Sequence, residues 1–171
     1  GATGEAARLR LRVRYRRHLA QIALFDVLNV SPTEAFPAVA AGLADLAGAA
    51  LEAAVDVARR EVPFPAADVA ATPLAVIGMG KAGARELNYV SDVDVIFVGG
   101  TSDEEAVSEA RAIDIATRLA RETMRGLSGI EAEPPSWEVD AALRPEGKQG
   151  ALDRKSVVLG QRLDLGGRRI I

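Results

Sequence analysis

Residues 78–98 read GMGKAGARELNYVSDVDVIFV, a glycine turn followed by two aspartates, Asp92 and Asp94, one residue apart. Alternate side chains on a strand share a face, so both carboxylates can point together while Val93 and Val95 turn toward a core. Oxygen ligands of this kind suit hard divalent cations, which activate an attacking oxygen and stabilise a leaving phosphate. The turn Gly78-Met79-Gly80 offers backbone N–H groups to phosphate oxygens. Lys81 and Arg85 are candidate phosphate-binding cations, and Ser91 either meets a phosphate oxygen or caps the turn. Such a site needs a third carboxylate from another strand. Asp140 is placed to supply it on the alternating stretch 136–144, where Arg144 shares its face and could contact a phosphate. Taken alone, Asp92 and Asp94 also fit a solvated acid pair at a strand entrance, because aspartate favours turns.

The same glycines match a dinucleotide fingerprint, Gly78-Met79-Gly80-Lys81-Ala82-Gly83 after an apolar strand. That reading requires a crossover helix after Gly83 and an acid at the end of the second strand. Only eight residues separate Gly83 from Asp92, and both acids open the strand, so the spacing disfavours it.

The elements that must position these residues follow from periodicity. Leu11, Tyr15, Leu19, Ile22 and Ala23 recur at helical spacing over about 5–27, although Leu9, Leu11, Val13 and Tyr15 also alternate as in a strand. Ser31-Pro32-Thr33-Glu34 reads as a helix start with a capping serine and a reciprocal glutamate. The helix that follows, kinked or interrupted at Pro37, runs to about residue 61 with Val39, Leu43, Leu46, Leu51 and Val55 inward. Pro63, Phe64, Pro65 and Ala66 form a linker. Strands are expected at 74–77 and 93–98, and an amphipathic helix over 104–127 with Ala106, Ala110, Ile113, Ala116, Leu119 and Ala120 on one side. A third strand is expected at 136–144. Glu86, Asn88 and Tyr89 carry no legible role, and His18 reads as a helix-surface residue.

Composition limits the alternatives. The 171 residues are 49% hydrophobic and contain no cysteine and one histidine, which excludes disulfides and thiolate metal sites and argues against a zinc cluster. No signal-peptide pattern is present, and no uninterrupted apolar run approaches the roughly 20 residues of a membrane span. The reading is of a soluble, cytoplasmic chain with no membrane partner. The net charge of −3 hides six arginines within residues 8–17 and five basic residues among the last nineteen. The arginine run reads as a solvated helix face rather than a nucleic-acid footprint, since only Tyr15 accompanies it as an aromatic platform.

The stretches GMGKAGARELNYVSDVDVIFV and WEVDAALRPEGKQGAL, in this order, closely resemble the bifunctional glutamine synthetase adenylyltransferase and adenylyl-removing enzymes, nucleotidyltransferases of the polymerase-beta-like superfamily. The resemblance runs over about residues 8–152. It implies an α/β (α+β) nucleotidyltransferase core with a small mixed sheet, preceded by a helical segment. It further implies that Asp92, Asp94 and Asp140 bind Mg2+ or Mn2+, that Gly78 and Gly80 form the phosphate turn, and that ADP or ATP and phosphate are substrates or products. Glutamine synthetase and, for the full-length enzyme, a PII signalling protein are the implied partners. Residues 88–91 and 141–148 look more like the N-terminal, adenylyl-removing half, where phosphate attacks adenylyl-tyrosine to release ADP. Rival readings are a PII uridylyltransferase, an RNA nucleotide-adding enzyme, or a fragment that binds nucleotide or partner without turnover. The expected organisation is a helical segment at 5–62, an incomplete nucleotidyltransferase core at 63–152, and at 153–171 a tail that resembles translated adapter or vector sequence. With Gly1 in place of a methionine, the chain is expected to be a piece of a longer protein.

Overall fold

The computed structural model describes residues 4–141 and the strand at 157–159. Two long helices, α1 (Glu5–Leu28) and α2 (Pro32–Glu61), precede a short α3 (Ala66–Ala70). Then come β1 (Leu74–Gly78), α4 (Gly80–Ala84), β2 (Val93–Gly99), α5 (Glu109–Ser128), β3 (Val139–Asp140) and β4 (Val157–Leu159).

β2 organises the sheet. It pairs antiparallel with β1, from Leu74 opposite Gly99 to Gly78 opposite Val95. It runs parallel to β3 at its start and to β4 at its end. This mixture of helices and a small mixed sheet agrees with the expected α/β class. The antiparallel β1–β2 pair removes the dinucleotide reading, because a strand–crossover–strand unit makes its two strands parallel. Along β2 the period-two pattern is complete: Val93, Val95 and Phe97 are buried to 1% exposure or less, while Asp94, Ile96 and Val98 stand half-buried on the other face.

One core joins the helices to the sheet. Val39, Leu43 and Leu51 of α2 share a cluster with Val76, Val95 and Phe97 of the sheet and with Ala116 and Leu127 of α5. Leu11, Tyr15, Leu19 and Ile22 of α1 pack on its margin. A second cluster forms around Val62, Val69, Val107, Ile115 and Leu119, with Phe64 from the proline-rich turn against it.

Several local expectations are corrected. α2 continues through Pro37 without a break. That proline is exposed and near the helix start, where it removes one ladder hydrogen bond while the apolar face beyond it is held by packing. Ser31 begins the helix with its carbonyl, which accepts the N–H groups of Glu34 and Ala35 at 3.1 and 3.0 Å, and makes no side-chain cap. The Asn29 side chain instead accepts the Ser31 N–H at 3.0 Å. α5 starts at Glu109 rather than 104, because the Asp103 carboxylate accepts the N–H groups of Glu105 and Ala106 and holds 103–107 in a turn. Its buried face is therefore Ala112, Ile115, Ala116, Leu119 and Ala120, with Ala106 and Ala110 exposed and Ile113 half-buried. Within the described residues the third strand is two residues long; 142–144 lie outside them, as does the expected tail apart from 157–159. Finally, α2 is long and apolar enough to cross a membrane by length and composition, although half of that stretch is buried inside the fold, as in a core helix.

Candidate functional site

Asp92 ends the loop before β2, Asp94 is the second residue of β2, and Asp140 closes β3 directly opposite Asp94. One carboxylate oxygen from each lies within 4.8 Å of the other two. Asp92 is exposed; Asp94 and Asp140 are half-buried. The local cause is the strand alternation: with Val93 and Val95 committed to the core, the flanking acids must face the other way. The Val93 N–H donates to the Glu138 carbonyl at 3.1 Å, which fixes the β2–β3 register on which the meeting of the acids depends.

The glycine turn is clipped to this strand. The Met79 N–H donates to the Asp94 carbonyl at 2.9 Å. Gly80 has φ of 50°, and a Cβ there would stand 2.9 Å from Asp94 Oδ2, so the bare α-carbon makes room for the carboxylate. A Cβ on Gly78 would make only ordinary contacts, the nearest at 3.6 Å, whereas one on Gly83 would collide with the Gly78 carbonyl. Gly83, the third glycine of the motif, is thus the closest-packed position of the turn and was not among the expected site residues. α4 starts at Gly80, so its first-turn N–H groups have no acceptor within the helix.

The other expected residues divide. Lys81 is exposed on α4, and Ser91 is half-buried beside Asp92. Arg85 closes α4 in the left-handed conformation, φ 61°, with the Glu86 N–H returning to the Lys81 carbonyl at 2.8 Å. Its guanidinium donates to Asp45 of α2 at 2.6 Å. There it borders a cavity of about 680 Å3, lined also by Glu52, Asp56, Leu74 and Ala75 and by none of the three aspartates. Arg144 lies outside the described residues.

Two sets of residues escaped the sequence reading. Leu87 is buried and Tyr89 donates its hydroxyl to Asp26 at 2.9 Å, so both anchor the loop between α4 and β2. The second set corrects the solvated-face reading for half of the arginine run, since Arg10, Arg14 and Arg17 are exposed and the other three are not. Arg12 is fully buried, and Arg8 and Arg16 flank it in ion pairs with Glu61 and Glu131 and with Glu133. Burial pulls the Arg12 guanidinium below its ordinary range, against the charge of Glu131. The same burial acts on Arg8, but hydrogen bonding and charge from Glu131, with help from Glu61, outweigh it and raise its value. The only available signal was the spacing of Arg8, Arg12 and Arg16, one helical turn apart beside Leu11, Tyr15 and Leu19.

The carboxylate cluster fits a divalent cation. Its donors are all oxygen, the choice of Mg2+ and Mn2+. The three carboxylates lie near enough together to share one cation. Among the described residues, neither Asp92 nor Asp94 has an ion-pair partner in the protein. The site is therefore one that concentrates carboxylates at the end of the sheet where β2 begins, beside a glycine turn.

Comparison with known proteins supplies the family. The family model for glutamate-ammonia ligase adenylyltransferase matches residues 2–157. The chain is 56% identical over 156 residues to the bifunctional glutamine synthetase adenylyltransferase/adenylyl-removing enzyme of Leifsonia xyli subsp. xyli, covering 88% of the chain and 16% of that relative. The proteins of the same name from Cutibacterium acnes and Mycobacterium avium are 49% and 47% identical, over 85% and 87% of the chain and 14% and 13% of their own lengths. The chain belongs to the glutamate-ammonia ligase adenylyltransferase family and spans about one seventh of the length of these relatives.

Proposed function

We propose that Asp92, Asp94 and Asp140 form the metal-binding centre of a nucleotidyltransferase that regulates glutamine synthetase, and that this centre removes AMP from a glutamine synthetase tyrosine by phosphorolysis. The carrying observation is the convergence of the three carboxylates beside Gly80. The names of the relatives support the substrate. In this reading residues 63–152 belong to a polymerase-beta-like core braced by the helices of 5–62, and the longer protein also adds AMP and responds to a PII signalling protein.

A bound Mg2+ or Mn2+ would supply charge neutralisation of the phosphates and activation of the attacking oxygen. The protein contributes position. Asp94 and Asp140, at matched register, would hold the cation from the sheet, and Asp92 would complete the set from the loop. The first-turn N–H groups of α4 receive phosphate oxygens, and Lys81 adds a positive charge at the same turn. Inorganic phosphate attacks the phosphorus of adenylyl-tyrosine, the bond from phosphorus to the phenolic oxygen breaks, ADP leaves, and the tyrosine oxygen takes up a proton. No nucleophile from the protein is needed.

The test is incubation of the chain with adenylylated glutamine synthetase, phosphate and Mg2+, with ADP measured by chromatography. ADP release that depends on phosphate and is lost in Asp94→Asn is the expected result. Nucleotide addition to RNA, or ADP release unchanged in Asp94→Asn, would sink the proposal.

A further inference from the structure

We propose that Arg12, assisted by Arg16, is a positioning residue for the carboxylate site: α1 sets the 129–138 segment at the height that brings Asp140 to β2. This rests on the metal-site reading above. β3 is only two residues long, and the bond from the Val93 N–H to the Glu138 carbonyl sets its register on β2 only once the segment before it has been brought to that height. The ten residues before it contain no regular secondary structure. The Ser136 N–H donates to the Leu127 carbonyl at 2.9 Å and ties them once to α5.

The side-chain hold on the segment comes from one face of α1. Arg12 Nε donates to the Gly126 carbonyl at 3.0 Å, and Nη2 donates to the carbonyls of Arg125 and Gly129 at 3.3 and 2.8 Å. Nη1 crosses to the Glu133 carbonyl at 2.6 Å. One guanidinium thus ties the last turn of α5 to the middle of the connecting segment. Arg16, one turn on, donates to the Glu133 carboxylate at 2.7 Å and to the Pro134 carbonyl. Arg8, one turn back, holds Glu131. Tyr15 then meets Trp137 with ring centroids 4.8 Å apart. The contacts reach residue 137, three short of Asp140.

The chemistry explains the choice of residue. A guanidinium offers five N–H donors in a fixed plane and can serve four carbonyls at once; an ammonium has three donors at one point and cannot bridge them. The carbonyls of Arg125 and Gly126 also lie at the negative end of the α5 dipole, which favours a buried cation there. The four hydrogen bonds of Arg12 go to backbone carbonyls of α5 and the segment, so its effect on the site is transmitted through the segment.

Trp137 is the sole tryptophan, so its emission reports this segment alone. Mn2+ is titrated into the 171-residue chain and into Arg12→Lys, Arg16→Met and Arg10→Met, with affinity read by calorimetry, Trp137 by emission and acrylamide quenching, and folding by circular dichroism. Arg12→Lys is expected to bind Mn2+ about tenfold or more weakly, the scale of losing a group that supports metal ligands, with Trp137 more open to quencher. Arg16→Met shifts both readouts in the same direction by less, and Arg10→Met, on the exposed side of α1, leaves both unchanged. Folded Arg12→Lys and Arg16→Met proteins with wild-type Mn2+ affinity and Trp137 emission would overturn the proposal. Should Arg12→Lys fail to fold, Arg16→Met decides by the same criterion. If the wild-type chain itself takes up no Mn2+, the metal-site reading fails, and Trp137 decides whether α1 holds the segment: a shift supports this and no shift overturns it.

Discussion

The protein crowds like charges in two places and resolves them in opposite ways. On α1, Arg8, Arg12 and Arg16 lie one turn apart, and the fold answers them with Glu61, Glu131, Glu133 and the carbonyls at the end of α5. At the start of β2, Asp92 and Asp94 crowd against Asp140, and among the described residues the protein supplies no cation to Asp92 or Asp94. Repulsion of this kind costs free energy unless something neutralises it. Where the chain itself provides the counter-charge, the cluster is a structural joint; at Asp92 and Asp94, in the function proposed above, a bound cation would provide it.

The contrast can be broken by substituting one member of each cluster. Arg12→Met should remove about 3 kcal/mol or more of stability, because buried carbonyls lose their donor, each such loss costing about 1–3 kcal/mol. Urea unfolding measures it, and a loss within experimental error would mean that the arginine stripe is not a joint. Asp94→Asn should do the reverse: stability in metal-free buffer stays level or rises as repulsion is relieved, while Mn2+ affinity falls more than about 100-fold, beyond the range for residues that merely support ligands. A large loss of metal-free stability would show Asp94 to be structural as well.

Smaller changes sharpen the division within the turn. Gly80→Ala combines a left-handed φ with a Cβ 2.9 Å from Asp94 Oδ2, so it should lose about 1–2 kcal/mol and weaken Mn2+ binding together. Gly78→Ala, with its nearest contact at 3.6 Å, should leave Mn2+ affinity nearly unchanged. Equal effects of the two would remove the argument that Gly80 makes room for the carboxylate. The smallest effect concerns Tyr15. Burial raises its pKa, with Arg16 opposing, so the phenol is held neutral in the fold. A raised value means that this contribution to stability is complete below the ordinary tyrosine value of 10.0 and is lost as pH rises through the folded value. Stability measured between pH 9 and 11 should therefore fall less steeply in Tyr15→Phe than in wild type.

The sequence made the site more legible than its support. Asp92, Asp94 and Asp140 could be placed together because strand alternation is a local rule, and the short gap from Gly83 to Asp92 already disfavoured a crossover helix. The same locality explains the errors. An arginine at every turn of a helix has one pattern whether it faces water or a partner, and the partners of Arg12 lie 113 to 121 residues away. Pro37 and Ser31 were read from propensity, which the packed face of α2 and the Asn29 side chain override. Nor could local rules show the left-handed backbone of Arg85 or its contact with Asp45, which arise from how α4 closes against α2.

The central claim is that the acids at the start of β2 are completed by a cation from outside the chain. Calorimetric titration of Mn2+ into the wild-type chain and into the double variant Asp92→Asn, Asp94→Asn, in matched buffer, tests it directly. Saturable binding by the wild type that vanishes in a double variant retaining its fold is the expected result. Equal heats and equal affinity in the two proteins, or no uptake by a folded wild-type chain, would contradict it.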